Sequence, residues 1–290
     1  MKRIPHTSAS FWPVISAGRL AATIRRGSSD GCTVALLGLP DDTGVRLNHG
    51  RAGAARGPGA FRAALARYGA GDSAAGPLPR VFDAGDVRPG RTLDETHARV
   101  TAATTALLDA GLFPIAVGGG HDLTFPFVRA VAAKYPKLAG LYFDAHLDVR
   151  ETPGSGMAFR RLVETCGVTV LHLVGFRPLV NSLDHLAWFT AHGGKLRTNE
   201  MLVKLPRAKN LFVSFDLDVL DAAHAPGVSA LNPAGLSVRE AAAWVHFCGA
   251  NPCVRCFDLM ELNPAFDPDG RTARVAAHLF LTFLHGFSQR

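Results

Sequence analysis

Residues 141–151, Leu141 to Glu151, read LYFDAHLDVRE. An apolar run with the character of a buried strand ends abruptly in Asp144, His146 and Asp148. In extended backbone, residues i, i+2 and i+4 share one side, so these three side chains can face one point while Ala145 and Leu147 face away. Two carboxylates and an imidazole brought together repel or desolvate one another unless positive charge lies between them. A divalent metal ion is the simplest such charge. Read alone, the stretch is equally compatible with a solvated turn after a strand, and the rest of the chain decides.

Further short apolar runs lie at 33–39, 80–85, 113–117, 168–174, 210–215 and 253–260, with a weaker one at 194–197; the run quoted above begins at 140. Several are apolar almost throughout, as strands of a parallel sheet covered on both faces should be. Helical patterns fall between them, at 56–69, 92–111, 237–247 and 271–286. Thr92 with Glu95, and Ser237 with Glu240, have capping-box spacing, and Gly111 stops the second helix. This alternation predicts an α/β fold, with helices on both sides of a mostly parallel sheet of about eight strands. Residues 1–32 read as an irregular N-terminal arm and 33–290 as a single domain.

The composition, 48% hydrophobic in 290 residues, supplies ample core for such a domain. There is no apolar run of about 18 residues and no secretory h-region, so neither a membrane span nor export is expected. Five cysteines without a framework suit a reducing cytoplasm. Cys253 and Cys256 form a lone C-x-x-C that reads as two half-buried strand cysteines. The net charge of +7 is spread along the chain without a basic block, which argues against nucleic acid and suits a small anionic substrate.

In open α/β sheets, ligands bind beyond the carboxyl ends of the strands. Four of those ends carry ionisable groups: His121 in GGGHD after 113–117, Asp144, His146 and Asp148 after 140–143, Asp216 and Asp218 after 210–215, and Glu261 after 253–260. Four aspartates supply the charge that two divalent ions balance. Two imidazoles complete an oxygen-rich set that favours Mn2+. Two ions about 3.5–4 Å apart generate hydroxide at neutral pH. The glycines before His121 let backbone pass close to the ions.

These motifs resemble those of the ureohydrolases, the family of arginase, agmatinase and formimidoylglutamase. FDAHLD is similar to the family's D-A-H-x-D, SFDLDVLDAAHAPG to its S-x-D-x-D region, and GGGHD to its first metal motif. The likeness runs over about 33–285. It implies a three-layer, arginase-like fold, a cytoplasmic enzyme assembled as a trimer or hexamer, and two Mn2+ per chain. It also implies hydrolysis of linear amidine C–N bonds. The metal ligands it implies are His121, Asp144, His146, Asp148, Asp216 and Asp218, with the bridging ligands known from similarity alone. Asp148 would relay the proton and Glu261 would hold the amidinium.

Ser155 stands where arginases and agmatinases carry a histidine, and Ser155, Gly156, Phe159 and Arg160 are similar to the S-G-T-P-F-R of formimidoylglutamases; Met157 and Ala158 depart from it. This branch implies N-formimidoyl-L-glutamate as substrate. Arg46, Arg51, Arg160 and Arg177 lie in loops of the matched motifs, and arginine holds carboxylates in bidentate fashion. Arg160, Arg177, Asn181 and Ser155 are the expected substrate contacts, with Arg160 first. His172 reads as a core histidine, and His224 as a loop residue that could face the site. The alternatives are another guanidino or amidino hydrolase, and an inactive ureohydrolase fold kept for binding.

Overall fold

The structure is a computed structural model, and it describes residues 4–69, 77–197 and 207–290. Each predicted apolar run forms a strand. These are β2 (Val34–Leu39), β3 (Val81–Val87), β4 (Phe113–Gly118), β5 (Leu138–Phe143), β6 (Leu171–Val174), β7 (Gly194–Arg197), β8 (Asn210–Asp216) and β9 (Val254–Met260). A ninth strand, β1 (Thr7–Ser8), comes from the arm. All nine join one sheet in the order β1-β3-β2-β4-β9-β8-β5-β6-β7, parallel except for the β1–β3 pair.

Alternate strand residues enter opposite helical layers, as the period-2 pleat requires. Val34, Leu36, Ile115 and Val117 pack beneath α2 (Gly57–Leu65), α7 (Val238–Ala250) and α8 (Arg271–Phe287). Ala35, Leu37, Leu39 and Ala116 face α3 (Leu93–Asp109), α4 (Thr124–Lys134) and α5 (Ala158–Cys166). The central layer is thus covered on both sides, which is why its strands are mostly apolar. Two short helices, α1 (Thr43–Leu47) and α6 (Leu183–Ala191), border the carboxyl edge. The Ser237–Glu240 capping box closes in both directions, whereas at α3 Thr92 accepts from Glu95 N–H but Glu95 reaches back to Arg91 N–H instead. His172 is buried, and its Nδ1 accepts from Arg197 Nε at 2.6 Å. No helix among the described residues is long and apolar enough to cross a membrane.

The arm is tied into this architecture. Ala21 and Ile24 are buried with Val34, Phe61 and Leu65. Ser10 and Trp12 donate to Asp83 on β3 at 2.7 and 2.6 Å. The same carboxylate takes both Nε and Nη2 of Arg62, on α2, at 2.9 Å each, and Arg62 Nη1 reaches Asp86 at 2.6 Å. Burial opposes ionisation of Asp83, but the bidentate guanidinium and the Ser10 hydroxyl overcome it and hold the carboxyl below its ordinary range. At Asp86, with one contact to the same guanidinium, burial prevails and the carboxyl rises.

Replacing Arg62 with Leu strands a buried carboxylate, so we expect a loss of about 3–5 kcal/mol in urea unfolding. Because the folded Asp83 titrates lower than the unfolded one, its stabilisation is present above the ordinary aspartate range and lost as pH falls through the folded value. Acid unfolding of the wild type but not of the variant should show that contribution.

Candidate metal centre

The strand order places β4, β9, β8 and β5 side by side, so the four ends singled out in the sequence are adjacent at one edge of the sheet. After β5 the backbone does not continue extended. Asp144 Oδ1 accepts the N–H of His146 at 2.6 Å, folding a tight turn, and Asp148 adopts φ +49°. The convergence expected from strand periodicity is real, but a turn and a left-handed residue produce it. After β8 the device repeats, with Asp216 Oδ1 accepting the N–H of Asp218 at 2.7 Å. In both pairs one carboxylate oxygen fixes the loop, leaving Oδ2 for the site.

His121 is held from three directions. Its N–H donates to Glu261 Oε1 at 2.8 Å, and Glu261 N–H donates to Gly119 O at 2.8 Å. Gly119 passes so close to the neighbouring loop that a Cβ there would lie 1.8 Å from Asp41 O. Phe159, opening α5, meets the imidazole edge to face at 5.3 Å. Nε2 lies 3.0 Å from Ser214 Oγ, and Ser214 donates to Asp258 Oδ1 at 2.6 Å while Thr124 donates to Oδ2 at 3.1 Å.

On the other ring edge, Nδ1 of His121 lies 3.1, 2.9 and 3.0 Å from Oδ2 of Asp144, Asp148 and Asp216. His146 Nδ1 lies 3.2 Å from both Asp144 Oδ1 and Asp218 Oδ2. One nitrogen carries at most one hydrogen and cannot satisfy three oxygens. His121 Nδ1, Asp144 Oδ2, Asp218 Oδ1 and Glu261 Oε2 are all buried without a hydrogen-bond partner among the described residues. Two overlapping sets, His121–Asp144–Asp148 and Asp144–His146–Asp218, each bring their ligand atoms within 4.8 Å of one another. Asp144 belongs to both, and Asp216 stands beside the first. Such a donor set could hold two divalent ions.

Electrostatics point the same way. Burial and the neighbouring Asp148 and Asp218 push Asp144 up to about 6. Burial and Asp218 raise Asp216, and burial with Asp216 and Asp218 raises Glu261, both well above the carboxylate range. Burial disfavours the imidazolium of His146, yet Asp218 and Asp144 lift it to about 12. These shifts share one cause, an excess of buried negative charge, which a dication at the same point would offset.

A cavity of about 300 Å3 opens above this cluster. His121, His146, Asp148, Asp216, Asp218, Glu261 and Ser155 line it, as foreseen. Asn181 lines it too, but its amide is committed: Oδ1 accepts from Leu147 N–H at 2.9 Å, and Nδ2 donates to Ala145 O and Arg177 O. It therefore staples the loop after β5 in place. Arg160 and Arg177 do not line the cavity. Glu164, one helical turn along, captures Arg160 at 2.7 Å, and the guanidinium lies over Trp188, so the expected substrate contact is not met by this placement. Arg46 pairs with Asp42, and Arg51 donates to the carbonyls of Pro226, Val228 and Ser229. His224 is exposed outside the cavity.

The arginine that does line it is Arg150, which the sequence reading passed over. Its N–H donates to Gly156 O at 2.8 Å, and its Cδ lies 2.9 Å from where a Cβ on Gly156 would stand. No carboxylate among the described residues engages its guanidinium. Asn48, His49 and His185 also went unnoticed, because nothing in their spacing tells that their loops meet here. Ser214 and Asp258 left a fainter signal: Asp258 is an acid in the middle of a mostly apolar strand.

The sequence model of the arginase family matches residues 32–286. The chain belongs to the arginase family. Among relatives of this arginase-family chain, a formimidoylglutamase of Aromatoleum aromaticum is 36% identical over 281 residues, covering 85% of this chain and 81% of that protein. A crystal structure of Trypanosoma cruzi formiminoglutamase with Mn2+ superposes with a TM-score of 0.87 at 31% identity, covering 94% of this chain and 99% of that one. Formimidoylglutamase from Bacillus subtilis superposes with a TM-score of 0.86 at 26% identity, covering 97% and 95%.

Hydrogen counting along the Asp258 relay fixes the His121 tautomer that suits an ion. An ionised Asp258 only accepts, so Ser214 donates to it and accepts from Nε2–H, leaving the Nδ1 lone pair toward the cluster. We therefore expect Asp258→Asn and Ser214→Ala to weaken Mn2+ binding by about 10- to 100-fold in titration calorimetry, with far-UV circular dichroism unchanged. Wild-type affinity in both would remove the relay from the site.

Proposed function

We propose that this chain is a binuclear manganese hydrolase that converts N-formimidoyl-L-glutamate and water to L-glutamate and formamide. One observation carries the reading: the cavity changes polarity with depth. Its floor is acidic and buried, with Asp216, Asp218 and Glu261 each at most 4% exposed. Its rim is basic and solvated, with Arg150 and His49 exposed and His185 half-buried. A molecule with an amidine at one end and carboxylates at the other suits that gradient in one orientation only. The formimidoylglutamases among the relatives, one of them crystallised with Mn2+, support the same reading.

In this reading His121, Asp144, Asp148, Asp216, His146 and Asp218 would hold the two ions. Two such ions would supply hydroxide at neutral pH and offset negative charge at the amidine carbon. Glu261 presents its unpartnered Oε2 to the amidinium. Its left-handed backbone, φ +67°, turns the carboxylate inward. Asp148, on the cavity wall, takes a proton on its carboxylate and passes it to the departing nitrogen. The C–N bond then breaks, giving the amine of glutamate and formamide. Arg150, which no carboxylate among the described residues engages, receives a substrate carboxylate. The five cysteines are unpaired, which supports a reducing cytoplasmic setting. A homo-oligomer completes the proposal.

Turnover of formimidoylglutamate, arginine, agmatine and guanidinobutyrate by the Mn2+-loaded protein tests the reading directly, and preference for any compound other than the first would overturn it. Arg150→Ala should raise KM for formimidoylglutamate about 10-fold or more, while Arg160→Ala, which breaks a surface pair, should change it within about two-fold. Glu261→Gln should lower kcat/KM by about 1.5–3 kcal/mol, roughly 10- to 150-fold, at unchanged metal content.

A further inference from the structure

Among the described residues, five that are not glycine have left-handed backbone: His6, His49, Lys137, Asp148 and Glu261. Such a residue in a turn needs no ligand to explain it, and His6 and Lys137 lie away from the cavity. The other three line it. Two of them, Asp148 and Glu261, already have roles in the proposed reaction. The third, His49, has none. Left-handed backbone is unfavourable for a residue with a side chain and free for glycine, and it persists at functional sites where the side chain it presents is needed.

His49 is also firmly placed. Its N–H donates to Arg46 O at 3.0 Å, closing α1, and Gly50 N–H donates to Val45 O at 2.9 Å. Asn48 Nδ2 donates to Ser155 Oγ at 3.1 Å, joining this loop to the segment whose Gly156 accommodates Arg150. The loop thereby holds an exposed imidazole on the cavity rim, on the basic side of the depth gradient. His185 lines the same rim, but from the first turn of α6, where an ordinary helical backbone supplies its position. Arg150 shares that rim from the loop after β5, two residues on from Asp148. His49 comes from a separate loop at the mouth.

We infer that His49 donates a ring N–H to the substrate carboxylate farther from the amidine, the side-chain carboxylate of the glutamate moiety, and so selects for a dicarboxylate. This deepens the proposed function and rests on it. Either protonation state of the imidazole retains a donor, so the contact does not require the charged form.

Glycine at this position removes the donor and at the same time suits the backbone. His49→Gly is therefore expected to keep or raise the melting temperature while weakening recognition, two directions that a merely structural residue would not combine. The measurement compares kcat/KM for N-formimidoyl-L-glutamate with that for N-formimidoylglycine, which keeps the amidine and the nearer carboxylate and lacks the other. The wild type should favour the glutamate compound, and His49→Gly should reduce that ratio about 10-fold or more, through KM. His49→Asn, which tolerates the backbone and keeps a donor, should restore part of it. An unchanged ratio in the glycine variant overturns the role of His49 and leaves the hydrolase reading intact. Failure of the wild type to turn over either compound overturns both.

Discussion

Five carboxylates, those of Asp144, Asp148, Asp216, Asp218 and Glu261, converge at the carboxyl edge of four adjacent strands, mostly out of water. That concentration of negative charge is the constraint around which the molecule is arranged. Left alone, it would protonate or push apart. Here it is held by small devices: a carboxylate oxygen on the N–H two residues along in two loops, a glutamate on the N–H of His121, and a relay of hydroxyls behind the ring. Asp144, Asp216 and Glu261 each use one carboxylate oxygen for structure and keep the other for the site. The remaining imbalance is what two dications would neutralise.

The same arrangement explains the shape of substrate selection. A buried acidic floor attracts a cationic amidine, and an ion pair made there is screened little by solvent. The rim is solvated, so its cationic and hydrogen-bonding groups discriminate by geometry more than by raw attraction. Arg150 suits this role because Gly156 gives its stem room and no acid among the described residues claims it. Arg160 has the same chemistry but a glutamate one turn away. A guanidinium's function is decided by the partner that reaches it first.

Stability and function are distributed differently over the chain. The arm, the sheet edge and α2 are joined by the buried Arg62–Asp83 pair, away from the metal cluster. Left-handed backbone, by contrast, gathers at the cavity in His49, Asp148 and Glu261. The layers on either side of the sheet hold the four strand ends in register, so the loops between them can adopt less favourable conformations without opening the fold.

Much of this was legible in the residues alone. The strands of the sheet, the layered α/β class and the acidic and imidazole groups at four strand ends follow from apolar periodicity and from where it stops, since those patterns are local. The two-residue β1 was not legible, because too few residues carry it and its pairing with β3 is long-range. Nor was the mode of convergence: a spacing of two suggests an extended strand, and only the folded loop reveals the turn at Asp144 and the left-handed Asp148. The exposure of Arg150 to the cavity and the relay of Ser214 and Asp258 behind His121 depend on neighbours far away in sequence. So does the placing of His49 on the rim. Sequence determined which chemistry the chain carries. The packing of loops from four strands decided which of those groups face one another, because contact between distant segments is set by the whole fold and leaves no periodic trace in any one of them.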